Sequence, residues 1–134
     1  MEELTEDLLI LLFRIEASKN SWKMNCILCD LITFSRVVQL ECLGLIYTIL
    51  QGEYYLCQLT NKGKNVVQTY TILEKINILQ KHVGHEWLTS KFINQLPMEE
   101  LPVLLVSNNL HIQTRAKERF IKLKYSGKKT KNSI

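Results

Sequence analysis

Proline and glycine are scarce, 2 and 5 in 134 residues, which excludes collagen-like, mucin-like and other low-complexity chains. Long apolar runs are missing as well. The longest, residues 8–13, falls far short of the roughly 20 residues that span a bilayer, and acidic rather than basic residues precede it, unlike a secretory leader. The expectation is an intracellular protein, cytoplasmic or at the nucleoid or nucleus, with no membrane partner. Hydrophobic residues still make up 46% of the chain against 22% charged, enough to bury a core and too apolar for disorder. At this length the chain predicts one compact unit, or a core with a small appendage.

Basic charge is thin in the first half and dense in the second. Residues 1–60 hold 4 Lys and Arg against 8 Asp and Glu, net −4, whereas residues 61–134 hold 13 against 5, net +8. Most of the excess lies within residues 115–131, where Arg115, Lys117, Arg119, Lys122, Lys124, Lys128, Lys129 and Lys131 face Glu118 alone. Such a block attracts phosphate, anionic lipid or an acidic protein face, or serves only as a solvated helix end.

Residue groupings that carry chemistry are equally sparse. Cys26 and Cys29 lie in an apolar helical pattern, and Cys42 and Cys57 are isolated, so the two close ligand pairs of a structural zinc site are missing and buried free thiols are expected. His82 and His85, beside Glu86, lack the Glu placement and third ligand of a metalloprotease site and suit a surface helix terminus. There is no nucleophile–base–acid grouping and no Gly-rich phosphate loop. The expectation is a protein that is not an enzyme, with no metal and no cofactor.

Thr5 followed by Glu6 and Asp7 predicts an N-cap and a helix to about Ala17 that is apolar nearly all round and so belongs inside. Residues 22–32, with Met24, Ile27, Leu28 and Leu31, predict a short second helix, and residues 35–43 a third that stops at Gly44. The period then changes. Residues 45–50 and 54–59, separated by Gln51-Gly52-Glu53, predict a β-hairpin, after which Thr60 caps a long helix to about Lys81, with Gly63 an oddity in its first turn.

Two motifs in this order carry a resemblance. Ser-Arg-Val-Val-Gln-Leu-Glu-Cys-Leu-Gly-Leu-Ile, residues 35–46, resembles the end of the recognition helix of winged helix-turn-helix regulators of the MarR-like and PadR-like groups. Tyr-Tyr-Leu-Cys-Gln-Leu-Thr-Asn-Lys-Gly-Lys, residues 54–64, is similar to their wing exit. The match covers about residues 5–82. It implies a mainly α fold with a small β-hairpin, a winged helix-turn-helix core followed by a long helix and a C-terminal helical extension. It also implies a recognition helix in the major groove and a wing on the backbone. Carried over, Ser35, Arg36 and Gln39 become candidates for base or groove contacts, Gln39 because an amide pairs with adenine and Arg36 because a guanidinium pairs with guanine or phosphate. Lys62 and Lys64 become phosphate contacts at the wing exit. One feature departs from a good DNA binder: residues 25–59 carry Arg36 alone against Asp30, Glu41 and Glu53, net −2.

The division expected is residues 1–82 as core with its long helix, 83–124 as a helical extension packed on it, and 125–134 as a basic flexible tail. Residues 96–123 resemble one helical hairpin of the HEAT type, and Ile112, Ala116, Phe120 and Leu123 share a stripe on the last helix. The core is expected from Leu8, Leu12, Ile15, Leu28, Leu31, Val37, Leu40, Leu45, Leu59, Val66 and Tyr70. A second stripe on the long helix, Ile72, Ile76, Leu79 and Val83, argues for a homodimer or for cover by the C-terminal helices. The function expected is duplex DNA binding in transcriptional control, with Arg115, Arg119, Lys122, Lys128, Lys129 and Lys131 on phosphates. The alternative is a protein-interaction module, a subunit of a larger assembly.

Overall fold

The computed structural model describes residues 4–19 and 21–132, with side chains as far as residue 126. It is mainly helical with one small antiparallel sheet, and it divides into two compact units, Met1–Thr71 and Ile72–Ile134.

The first unit runs α1 (Glu6–Ala17), β1 (Trp22–Asn25), α2 (Leu31–Cys42), β2 (Ile46–Gln51), β3 (Tyr54–Leu59) and α3 (Asn61–Gln68). Thr5 caps α1 as expected, its Oγ1 accepting from the Leu8 amide at 3.3 Å. The all-round apolar face is covered: Leu8 through Phe13 and Ile15 are buried, with α2, α3 and β3 packed around them. Phe13 meets the Tyr70 ring edge-on, with centroids 5.6 Å apart.

Residues 22–32 do not form the expected helix. Trp22 to Asn25 is a strand that pairs with β3, so the hairpin becomes a three-stranded sheet of order β1-β3-β2. Side-chain hydrogen bonding at Asn25 and Asp30 decides this. Asn25 Oδ1 accepts from the amides of Ile27 and Leu28, at 2.9 and 2.8 Å, which closes a turn in place of a helix. Asp30 then caps α2 by accepting from the Thr33 amide, so the helix expected from residue 35 starts at Leu31.

The end of α2 follows the sequence closely. Gly44 takes φ +75, and the pair of bonds from Gly44 N–H to Glu41 O, 2.9 Å, and from Leu45 N–H to Leu40 O, 3.0 Å, is a Schellman closure. Gly52, at φ +63, opens the two-residue loop of the β2–β3 hairpin. Thr60 caps α3 through Gly63 N–H at 3.1 Å and donates to Gly44 O at 2.6 Å.

The expected long helix is broken. It stops at Gln68, where the Thr69 hydroxyl takes the Val66 carbonyl at 2.6 Å, and it restarts at Ile72 as α4 (Ile72–Gln80). Three consecutive poor helix formers, Thr69, Tyr70 and Thr71, sit at the break. The second unit continues through α5 (Glu86–Ile93), a 3₁₀ turn (Met98–Glu100), α6 (Leu101–Leu105) and α7 (Leu110–Asn132), with α5 and α6 both packed on α7. Pro102 sits in the first turn of α6, where a missing amide costs nothing. Ile112 and Ala116 are buried and Phe120 and Leu123 half-buried, so the expected stripe faces inward. The helical backbone continues through residues 125–132, and the side chains of Lys128, Lys129 and Lys131 lie outside the described residues.

Of the core expected on sequence, Leu8, Leu12, Ile15, Val37, Leu40, Leu45 and Leu59 are buried. Val66 and Tyr70 are half-buried, with Val67 taking the inward place on α3. Leu28 and Leu31 are corrections. The turn at Asn25 swings both outward, and they are among the most exposed side chains of the chain. On α4, Ile76 and Leu79 are buried within the chain, whereas Val83 lies beyond the helix and is 96% exposed, so the four-residue stripe motivating a dimer is not formed.

Candidate functional site

The outer face of α2 is where a groove-reading surface is expected. Ser35 and Gln39 are both exposed there, one turn apart, but they satisfy each other: Gln39 Nε2 donates to Ser35 Oγ at 3.1 Å. Arg36 is half-buried and its Nη2 lies 3.4 Å from Asp7 Oδ2, so its charge is answered from α1. The Asp30 carboxylate at the N-cap is held below the ordinary carboxylate range, chiefly by the Thr33 amide it accepts. A negative charge therefore stands at the end of α2 that a phosphate would approach.

The lysines expected at a wing exit are placed differently from each other. Lys62 Nζ donates to the Leu43 carbonyl at 3.0 Å and so caps the C-terminus of α2. Lys64 is exposed. On α7, Arg119 gives both Nε and Nη2 to the Leu96 carbonyl, each at 3.3 Å, and thus ties the helix to the segment that follows α5. Arg115 pairs with Glu118 at 3.0 Å on the surface. Lys117, Lys122 and Lys124 are exposed and keep the basic edge that the sequence implies.

What stands out on the first unit is apolar. Ile27, Leu28, Leu31 and Ile32 are 71%, 81%, 86% and 64% exposed, four aliphatic side chains within six residues. Val38, further along α2, is exposed as well. Solvent-facing aliphatic residues scattered singly need no explanation, but a cluster at one helix end does. The sequence hid this cluster because its spacing also fits a buried helical stripe. Asn25 and Asp30, a turn former and a helix cap bracketing it, are the signals that point the other way.

No family model, curated protein or solved structure matches this chain.

The cysteines are all free thiols, but only Cys57 is buried. Its thiol is pushed up to about 11, first by burial and then by Glu41 and Cys26, so it is protonated and inert near neutral pH. Cys26 and Cys29 are half-buried in the turn and Cys42 is exposed, which corrects the expectation of four buried thiols. His82 and His85 approach to 6.4 Å between ring centroids, and with His111 they line a cavity of about 50 Å³, room for a water or two. His111 Nε2 lies 3.3 Å from both Ser90 Oγ and the Glu86 carbonyl oxygen. Among the described residues no three metal-ligating side chains stand close enough to hold an ion, and no helix is long and apolar enough to cross a membrane.

Proposed function

We propose that the first unit is a winged-helix-type module that binds a protein partner through the turn before α2 and the first turn of that helix, as a non-catalytic subunit of a larger assembly. The winged-helix reading is supported by the strand order β1-β3-β2 and by the tight hairpin that follows α2, while only α1 and α2 precede that hairpin and a turn stands where the middle of three helices is expected. The observation that carries the function is the exposure of Ile27, Leu28, Leu31 and Ile32 at the end of the helix that would enter a groove. Fully covering a Leu or Ile side chain stabilises by about 1.5–3 kcal/mol, so this face favours a dry partner surface. Phosphates and base edges call for donors and cations there. α2 supplies an Arg held by Asp7 and an amide held by Ser35.

The double substitution Leu28→Ser, Leu31→Ser tests this. Both side chains are exposed, so the melting temperature is expected to stay within the small range of surface changes. A protein that co-purifies in fixed ratio with the wild type, from the cells that make it, is expected to be lost. Retention of that protein by a folded variant contradicts the proposal.

The second reading, duplex DNA binding in transcriptional control, is favoured by one observation, the exposed lysines of α7. On this reading α7 would hold phosphates, and sequence discrimination by α2 would be slight.

A further inference from the structure

Cys26 and Cys29 flank two of the exposed apolar residues in the turn before α2, Ile27 and Leu28, and the docking reading leaves both thiols unused. Each is free and half-buried, so each is partly open to small solutes. The turn that joins them is closely defined. β1 ends at Asn25, and Asp30 caps α2. Between these points the Cys26 amide donates to the Glu53 carbonyl at 2.8 Å and the Cys29 amide to the Asn25 carbonyl at 3.0 Å. The Ile27 and Leu28 amides share Asn25 Oδ1. A chain folded back this tightly sets residues three apart within about 7 Å, Cα to Cα, and a disulfide spans about 4.4–6.8 Å. The Cys29 thiol already lies against the Cys26 backbone, its Sγ 3.9 Å from the Cys26 carbonyl oxygen. Side-chain rotation is the movement needed to bring the two sulfurs together.

The other two cysteines are placed differently. Cys57 is buried and its thiol is pushed up to about 11, which leaves little thiolate to react. Its partner across the sheet is Trp22, four residues before Cys26, on the order of 13 Å along the strand. Cys42 is exposed at the last residue of α2, roughly 16 Å of helix from Leu31.

We propose that Cys26 and Cys29 form a reversible disulfide, closed by exchange with a small disulfide of the oxidised glutathione class and reopened by excess thiol, and that this bridge locks the turn carrying Ile27 and Leu28. In the first step one cysteine thiolate attacks a sulfur of the small disulfide, whose S–S bond breaks and releases one thiol. The second cysteine thiolate attacks the protein sulfur of the mixed disulfide, which forms the Sγ–Sγ bond and releases the other thiol. The two cysteine protons pass through water to the two released thiolates. The pair is thus oxidised by two electrons and the small disulfide reduced by the same two. Because the second step is intramolecular over a short turn, the mixed disulfide does not accumulate. Opening of the turn separates the two cysteines, and the bridge prevents it. On the docking reading this preorganises the apolar face for its partner. The pairing itself does not depend on that reading, and its test needs no partner.

The full chain is equilibrated in glutathione buffers of rising oxidised fraction, unfolded and alkylated, and cut with trypsin. Cleavage after Lys23 and Arg36 leaves both cysteines on residues 24–36, and cleavage after Lys62 leaves Cys42 and Cys57 together on residues 37–62. The first peptide is expected to become lighter by two hydrogens and to escape alkylation, without a glutathione adduct. In the oxidised chain the amides of Ile27 and Leu28 are expected to exchange severalfold more slowly, to recover on reduction with dithiothreitol, and to ignore the oxidant in Cys29→Ser. Residues 24–36 that stay fully alkylated in the most oxidising buffer overturn the proposal. So does a glutathione adduct that persists on that peptide, or a bridge that joins it to residues 37–62. An oxidised chain whose Ile27 and Leu28 amides exchange as fast as in the reduced chain overturns the locking of the turn.

Discussion

Gly63→Ala is expected to destabilise the first unit by about 3 kcal/mol, at the upper end for overpacking. A Cβ at this position would stand 2.0 Å from the Leu45 carbonyl oxygen and 3.0 Å from its carbon. That carbonyl cannot easily retreat. It accepts the Thr60 amide at 3.1 Å, and the Leu45 amide is held by Leu40 in the closure of α2. Alanine is the better helix former by about 1 kcal/mol, which opposes the clash without cancelling it. The glycine that looks out of place in a helical first turn is thus set by a backbone contact with a distant segment. Urea unfolding followed by a probe in the first unit measures the change, and a stabilised variant would contradict the packing of α3 against Leu45.

Leu40→Ala is expected to cost about 2–5 kcal/mol, as large-to-small changes in a closed core do. Leu40 is fully buried on the inner face of α2, and its carbonyl anchors the Schellman closure. Leu31, on the same helix, is 86% exposed, and its replacement by alanine is expected to stay within about 0.5 kcal/mol. The pair fixes which side of α2 faces inward. A melting temperature unchanged in Leu40→Ala, or sharply lowered in Leu31→Ala, would mean that the helix is turned about its axis.

The local chemistry of much of the fold is visible in the sequence. Thr5 and Thr60 as caps, Gly44 as a helix stop, Gly52 in a hairpin and the inward stripe of α7 all act within a few residues of themselves, and each is found where the residue types place it. Two elements were not legible for a definite reason. Between residues 22 and 32 the apolar spacing suits a helix as well as a strand and turn, and the balance is tipped by Asn25 and Asp30 hydrogen-bonding to nearby amides. At residues 69–71 the helix breaks with neither glycine nor proline to mark it.

The candidate contact residues show a different limit. Their identities follow from the sequence, but their availability depends on partners far along the chain. Lys62 finds a carbonyl 19 residues away and Arg119 one 23 residues away. Arg36 finds Asp7 on another helix. Counting basic residues therefore overstates the side-chain donors these positions have free to reach phosphate.

That the turn before α2 and its first turn form an apolar docking surface, and that α2 is not a base reader, is tested most directly by titrating duplexes of differing sequence with the full chain and its Gln39→Ala variant over a range of salt. The account predicts that any binding is alike for all duplexes and the same in both proteins. It also predicts a weakening with salt by a slope of about 0.9 per phosphate contact, because exposed lysines such as those of α7, and no base-reading group of α2, take part. A clear preference for one duplex that Gln39→Ala abolishes would contradict it and restore α2 as a recognition helix.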